Sequence, residues 1–212
     1  MDCGATTNTG LAELGIQRDE IETLLVSHFH GDHFGGIPLF LLAAMYEDNR
    51  KQPLTIAGPP GIEERVRVLA QAMGHGLDTH ELPFSLSFHE VTAETNEEIG
   101  PARVRAFETQ HQIEAHPHGY RVDLGGAKLA YSGDTGWFEG LPGQIAGADL
   151  FVCECTLFDH RLDFHLSLDE ISEHRGQMDI GRLILTHLGN EMSRRRGEVE
   201  FETADDGLSL TL

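Results

Sequence analysis

Cysteine is scarce in this chain, with Cys3, Cys153 and Cys155 the only three among 212 residues. That excludes a disulfide scaffold. Cys153 and Cys155 lie two apart in an apolar stretch, where on a strand they share a face without bridging comfortably. A reducing, cytoplasmic setting is expected. Cations are scarce as well: 15 Lys and Arg stand against 35 Asp and Glu, a formal net charge of -20 at pH 7. Such a field favours solubility and repels long nucleic acid unless a local positive site overrides it. The one basic run, Arg194 to Arg196, is flanked by Glu191 and Glu198 and reads as a solvated turn. No apolar run approaches the ~20 residues of a membrane span. The longest, IPLFLLAAMY, suits a buried helix, and the polar opening MDCGATTNTG lacks the start of a signal peptide.

Glycine and histidine are plentiful, at 24 and 13 residues. The length suits one domain over 1–212, and short apolar strands alternate with amphipathic helices. ETLLVSH (22–28) predicts a strand and Ile37–Tyr46 a helix. LTIAG (54–58) predicts a strand, and 59–74 a helix with prolines at its start and Gly74 at its end. FSLSFHEV, RVRAFETQH, GYRVDL and AKLAYSGD make the middle rich in strands. DLFVCECT (149–156) predicts a buried strand. Ser167 and Glu170 form a capping box for the helix that follows. RLILTHLG (182–189) predicts another strand, and EVEFETADDGLSLTL a terminal hairpin. Interleaved strands and helices with an antiparallel middle fit an α/β sandwich better than a purely parallel sheet.

The densest chemistry lies in SHFHGDHFGG, residues 27–36. His28, His30, Asp32 and His33 all carry metal-ligand atoms, imidazole nitrogen or carboxylate oxygen. Gly31, Gly35 and Gly36 let the backbone wrap tightly. His28 and His30 alternate along an extended segment and can face one ion, while Asp32 and His33 belong to the next turn and can face another. Phe29 and Phe34 are expected to anchor the loop by packing.

This pattern resembles the metallo-β-lactamase-fold hydrolases, and the later motifs arrive in that family's order. His111 follows the strand RVRAFETQ, Asp134 sits in YSGDTGW, His187 in LILTHLG, and ADDGL resembles the closing turn. The resemblance implies an αββα sandwich of two mixed sheets with metals at one edge. It implies that His28, His30 and His111 bind one ion, that Asp32, His33 and His187 bind the other, and that Asp134 bridges. His116 and His118 compete with His111 as third ligand, whereas His75, His80, His89, His160 and His174 are expected at the surface or behind the ligands. Two divalent ions, Zn2+ with Mn2+ as the alternative, would activate a bridging hydroxide that Asp32 orients. They outweigh Asp32, Asp134 and the hydroxide by about one positive charge, which suits a small anionic substrate.

A Glu and His pair between the bridging aspartate and the last histidine resembles the tRNA 3′-processing (Z-type) branch, here Glu154 and His165. The resemblance makes His165 the general acid and Glu154 its orienting carboxylate. Departures narrow the substrate. Asp134 stands where zinc β-lactamases carry cysteine, and His30 where redox di-iron members carry glutamate. No glycine-rich basic arm follows residue 134 for gripping tRNA. The expected activity is therefore a phosphodiesterase on small phosphodiesters, as in the ribonuclease Z-like and cyclic phosphodiesterase relatives. The alternatives are ester, thioester or lactone hydrolysis, tRNA 3′ processing, or a non-catalytic metal-binding protein. Asp2-Cys3-Gly4 resembles the D-x-G that closes an N-terminal β-meander in this family. With Met1 directly before it, those strands are expected to be missing, exposing an edge that invites homodimerisation.

Overall fold

The structure is a computed structural model that describes residues 1–79 and 81–212. Its chain divides into two compact units, Met1–Thr92 and Ala93–Leu212. The first carries α1 (Thr7–Glu13), β1 (Thr23–Leu25), α2 (Gly31–Phe34), α3 (Ile37–Tyr46), β2 (Leu54–Gly58), α4 (Ile62–Ala72) and β3 (Leu86–Glu90). The second carries β4 (Asn96–Ile99), β5 (Ala102–Glu108), β6 (His118–Leu124), β7 (Ala127–Tyr131), α5 (Leu141–Ile145) and β8 (Ala148–Glu154). It ends with α6 (Leu168–His174), β9 (Ile180–Thr186), α7 (Asn190–Arg194) and β10 (Glu202–Thr203).

In the first unit β1, β2 and β3 form a parallel sheet in that order. Parallel neighbours need helical crossovers, and α3 and α4 supply them. Ile37, Phe40, Leu41 and Ala44 of α3 are buried at i, i+3, i+4 and i+7, packing with Leu24, Val26, Leu54, Ile56 and Val66. Arg50 is fully buried behind this layer. Its guanidinium donates to the carbonyls of Arg18 (2.9 Å), Ile21 (2.9 Å), Gln52 (2.7 Å) and Pro53 (2.7 Å), tying the turn before β1 to the entry of β2.

In the second unit the order is β10-β9-β8-β7-β6-β5-β4. Strands β4 to β7 are antiparallel, and β7 to β10 are parallel, so this sheet is mixed. Strands β5, β7, β8 and β9 therefore run the same way and deliver their C-terminal ends to one edge. Phe107, Phe151, Cys153, Leu166, Ile171 and Leu185 fill the core with Leu141 and Ile145 of α5. The capping box is present: Ser167 Oγ accepts from Glu170 N, and the Glu170 carboxylate accepts from Ser167 N.

The terminal hairpin is not formed. Strand β10 instead pairs parallel to β9, and Ala204 N–H donates to Leu185 O at 2.7 Å. Bidentate pairing of Arg182 with Glu202 and a pair between Arg196 and Asp205 hold this arm in place, and residues 204–212 contain no strand among the described residues. In place of a simple solvated turn, Arg194 ends α7 and Arg195 pairs with Glu191 and Glu198 while its guanidinium lies 3.4 Å from the Phe158 ring centre. All three cysteines are free and buried, and burial pushes the thiols of Cys3 and Cys155 up to about 12, which leaves them inert. Among the described residues no helix is long and apolar enough to cross a membrane.

Arg50→Leu would remove the buried donors to four carbonyls and is expected to cost about 3–5 kcal/mol. The midpoint of urea unfolding reports it, and a midpoint within error of the wild type would refute that bracing role.

Candidate metal centre

In the first unit the chain leaves β1 still aligned with β2, through Val26 N–H to Ala57 O at 2.8 Å, and then presents SHFHGDHFGG. Phe29 and Phe34 are buried against each other, ring centroids 5.5 Å apart at 70°, and the Arg65 guanidinium lies 5.2 Å from the Phe29 ring centre. They anchor the loop, as expected. His28 Nε2 stands 3.1 Å from His30 Nδ1, and Asp32 Oδ2 stands 3.6 Å from His33 Nε2. The structure thus brings together the side chains of each foreseen pair.

The residues that aim these histidines include two that the sequence did not mark for this work. The Asp2 carboxylate accepts from Ser27 N (2.7 Å), Ser27 Oγ (2.9 Å) and His33 Nδ1 (2.8 Å). Since Ser27 gives its hydroxyl proton to Asp2, its oxygen accepts from His28 Nδ1 at 3.0 Å. Cys3 N–H to His33 O (2.6 Å) and Gly36 N–H to Cys3 O (2.8 Å) strap the N-terminal residues across the loop. A Cβ at Gly4 would lie 2.0 Å from Asp32 O, so only glycine lets the strap approach this closely.

In the second unit the candidate ligands stand just beyond the C-terminal ends of the like-directed strands: His111 after β5, Asp134 after β7 and His187 after β9. Binding groups at that edge are the rule in open α/β sheets. Asp134 Oδ2 lies 4.0 Å from His111 Nε2 and 3.6 Å from His187 Nε2, between the two rings. The Phe164 carbonyl can only accept, so His111 Nδ1 carries a proton and donates to it at 2.9 Å. Thr156 was not foreseen. Its hydroxyl donates to Glu154 Oε2 (2.9 Å) and so accepts from His187 Nδ1 (2.8 Å).

Two atoms bound to one ion at ~2.0–2.2 Å stand about 3.3–3.6 Å apart at tetrahedral angles and at most about 4.0–4.4 Å. The separations of 3.1, 3.6, 3.6 and 4.0 Å all fall near or inside that window. Imidazole and carboxylate are also the donor set that zinc prefers. Each unit's residues fit a divalent ion.

Glu154, at the end of β8, is buried and accepts four hydrogen bonds: from Thr135 N (3.0 Å), Thr156 N (3.0 Å), Thr156 Oγ1 and His165 Nδ1 (2.8 Å). His165 also lies 4.0 Å from Asp134 Oδ2 and shares a cluster with Asp134 and His187 whose ligand atoms are within 4.8 Å of one another. Its Nδ1 is held by the Glu154 carboxylate as the Nδ1 of His33 is held by Asp2.

The competing histidines go elsewhere. His116 is exposed at φ 50. His118 is buried at the head of β6, and burial, with the His116 charge adding to it, lowers its pKa to about 4. His174 stacks on Trp137 with centroids 3.9 Å apart at 5°. His75 and His89 are half-buried, His160 is exposed beside Asp159 and Glu191, and His80 lies outside the described residues.

With this geometry in hand, residues 1–204 match the family described as "Anti-Pycsar protein Apyc1". The chain belongs to that family. It resembles the ribonuclease Z of Mycobacterium sp. (strain KMS), 28% identical over 206 residues that cover 88% of this chain and 72% of that protein. The ribonuclease Z of Methanothermobacter thermautotrophicus is also 28% identical, covering 99% and 82%. Human tRNase Z, short form, superposes with TM-score 0.76 at 25% identity, covering 99% and 86%. Zn(2+)-bound PqqB from Methylobacterium extorquens gives 0.73 at 18%, covering 100% and 82%. This Apyc1-family chain therefore has the metallo-β-lactamase fold and is a hydrolase of that superfamily with a histidine-rich metal site.

Thr156→Val removes the acceptor for His187 and one donor to Glu154. Metal affinity should fall about 10–100-fold, read by chelator competition, and unchanged affinity would refute the orienting role. His118, by contrast, should stay neutral until about pH 4 in an NMR titration of its imidazole. Because its folded pKa is depressed, its contribution to stability is present above the ordinary value near 6.5 and is lost as pH falls from there toward 4. Titration near 6.5 in the folded protein would contradict this.

Proposed function

We propose that this protein is a dinuclear-metal phosphodiesterase acting on small phosphodiesters, with cyclic nucleotides as the substrate class. His28, His30 and His111 would hold one ion, Asp32, His33 and His187 the other, and Asp134 both, with zinc the expected metal and manganese the alternative. When bound, the ions supply an activated water and offset the charge of the phosphodiester. Asp32 would orient that water and accept its proton.

The observation that carries the reading is the 2.8 Å bond between His165 Nδ1 and the buried Glu154 carboxylate, beside Asp134. A carboxylate on Nδ1 fixes the ring and stabilises its imidazolium form, leaving Nε2–H as the proton donor. Attack by water forms one P–O bond and breaks another, and the departing sugar oxygen is a strongly basic alkoxide. Protonation of that oxygen by His165 is what such a substrate needs and what an activated ester does not. Support for the cyclic nucleotide class comes from the Apyc1 family, whose members degrade cyclic nucleotides. The charge of -20 favours a singly charged small diester over a long polyanion.

The ribonuclease Z relatives favour a second reading, cleavage at the 3′ side of tRNA. The two separate in one assay of metal-loaded protein against 3′,5′-cyclic nucleotides, bis-p-nitrophenyl phosphate, precursor tRNA and a thioester. Cyclic nucleotide turnover without tRNA cleavage is expected, and tRNA or thioester turnover alone would overturn the proposal.

His165→Ala should keep both metals by elemental analysis and lose about 100-fold or more of kcat on cyclic nucleotides, with far less effect on p-nitrophenyl esters. Equal losses on both substrates would sink the general-acid role. Asp134→Ala should lose metal as well as activity, and full occupancy would refute its bridging position.

A further inference from the structure

Away from the ligand edge, the outer face of the second unit's sheet holds a cavity of about 250 Å³ lined by Asn96, Arg103, Arg105, Arg121 and Asp123. Alternation along the strands puts these residues together. Val104 faces Val122 and Ala106 faces Tyr120 on one side of the β5–β6 pair, while Arg103 faces Asp123 and Arg105 faces Arg121 on the other. Asn96 on β4 is the partner of Arg105 in the next register. Three of the chain's 15 cations thus share one small cavity in a protein of net charge -20.

The arrangement is costly on its own terms. Like charges directly opposite across a strand pair repel, and Arg105 and Arg121 are such a pair. Carboxylates offset part of that charge: Asp123 lines the cavity opposite Arg103, Glu98 is the β4 partner of Arg103, and Glu94 pairs with Arg105, so three guanidinium groups share the cavity with one carboxylate. The guanidinium groups are also positioned. Gln144 of α5 accepts from Arg105 Nη1 through its side chain (3.0 Å) and from Arg121 Nη1 through its carbonyl (3.2 Å). The held guanidinium forks of Arg105 and Arg121, with Arg103 lining the same cavity, suit a phosphoryl group, whose oxygens accept paired N–H donors. Strand geometry separates this cavity from the metal ligands. Arg105 stands three residues and Arg103 five before the end of β5, roughly 10–17 Å back along the strand at ~3.3 Å per residue.

We infer that Arg103, Arg105 and Arg121 form a second, non-catalytic site that binds a phosphoryl oxyanion, either free phosphate or the phosphate of a mononucleotide. Its volume suits one phosphoryl group with part of a nucleoside, below the ~300 Å³ at which drug-sized pockets begin. The site stands independently of the activity proposed above.

Calorimetric titration of the metal-loaded protein with inorganic phosphate, pyrophosphate and adenosine monophosphate tests it, with a parallel series after chelation to remove binding at the metals. A saturable component that survives chelation is expected. It should weaken at least about tenfold in Arg121→Ala and in Arg103→Ala, and with rising salt. Arg103→Lys keeps the charge but not the fork and should fall between. Arg103 is exposed, so its variants should fold, which circular dichroism checks. Stronger binding of the nucleotide than of phosphate would identify a nucleotide as occupant, and equal binding would identify the free anion. Loss of all binding on chelation, or isotherms unchanged in both alanine variants, would overturn the inference.

Discussion

The centre depends on which nitrogen of each imidazole carries the proton. His33 gives its Nδ1 proton to Asp2, His111 to a backbone carbonyl, and His28 and His187 to hydroxyl oxygens whose own protons are already committed to carboxylates. In each case the hydrogen bond leaves Nε2 as the lone-pair nitrogen and fixes the ring plane. A neutral ring with the other tautomer would place a proton where the proposed cation would sit. Asp2 and His187, both held at φ just above +50, show that the backbone is bent out of its preferred range to make these bonds. The strap of Asp2-Cys3-Gly4 therefore stands in the same relation to the first histidines as Thr156 and Phe164 do to the later ones.

That constraint explains why the ligands sit where they do. Strand ends supply side chains at fixed spacing, and the like-directed β5, β7, β8 and β9 bring Asp134, Glu154 and two histidines to one edge without a long loop. Glu154 then has two duties. Its Oε1 holds His165, and its Oε2 takes the Thr156 proton that lets Thr156 orient His187. One buried carboxylate thereby couples the candidate acid to a candidate ligand. A lesion there should disturb both, whereas a lesion at His165 disturbs one.

Legibility in the sequence followed chemical density. SHFHGDHFGG announced itself because four ligand-type residues within six positions have few other uses, and His111, Asp134 and His187 followed from family order. The helix Ile37–Tyr46, the strand Leu54–Gly58 and the Ser167 capping box were readable because each is set by local chemistry. Thr156 and Ser27 were not, because a hydroxyl at a strand end looks the same whether it faces solvent or an imidazole. Asp2 was visible only as part of a D-x-G, its role hidden by a partner 31 residues away. The terminal hairpin failed for a related reason. DDG turn chemistry was present, but the pairing of Glu202 and Asp205 with arginines earlier in the chain decided the arm's path.

The charge distribution bears on substrate choice as directly as the ligands do. A surface with 35 carboxylates and 15 cations raises the cost of approach with every phosphate a substrate carries, so a single phosphodiester pays it once and a tRNA many times. Against that field the local positive charge of the two ions proposed above would be short-ranged and would select for an anion small enough to reach it. In the hydrolysis proposed above, the ring oxygen of a cyclic phosphodiester would depart as an alkoxide tethered to the same molecule and would need a proton. The buried Glu154 behind His165 would serve that need, because a carboxylate held by three other donors would keep its place while the imidazole gave up its proton and regained it.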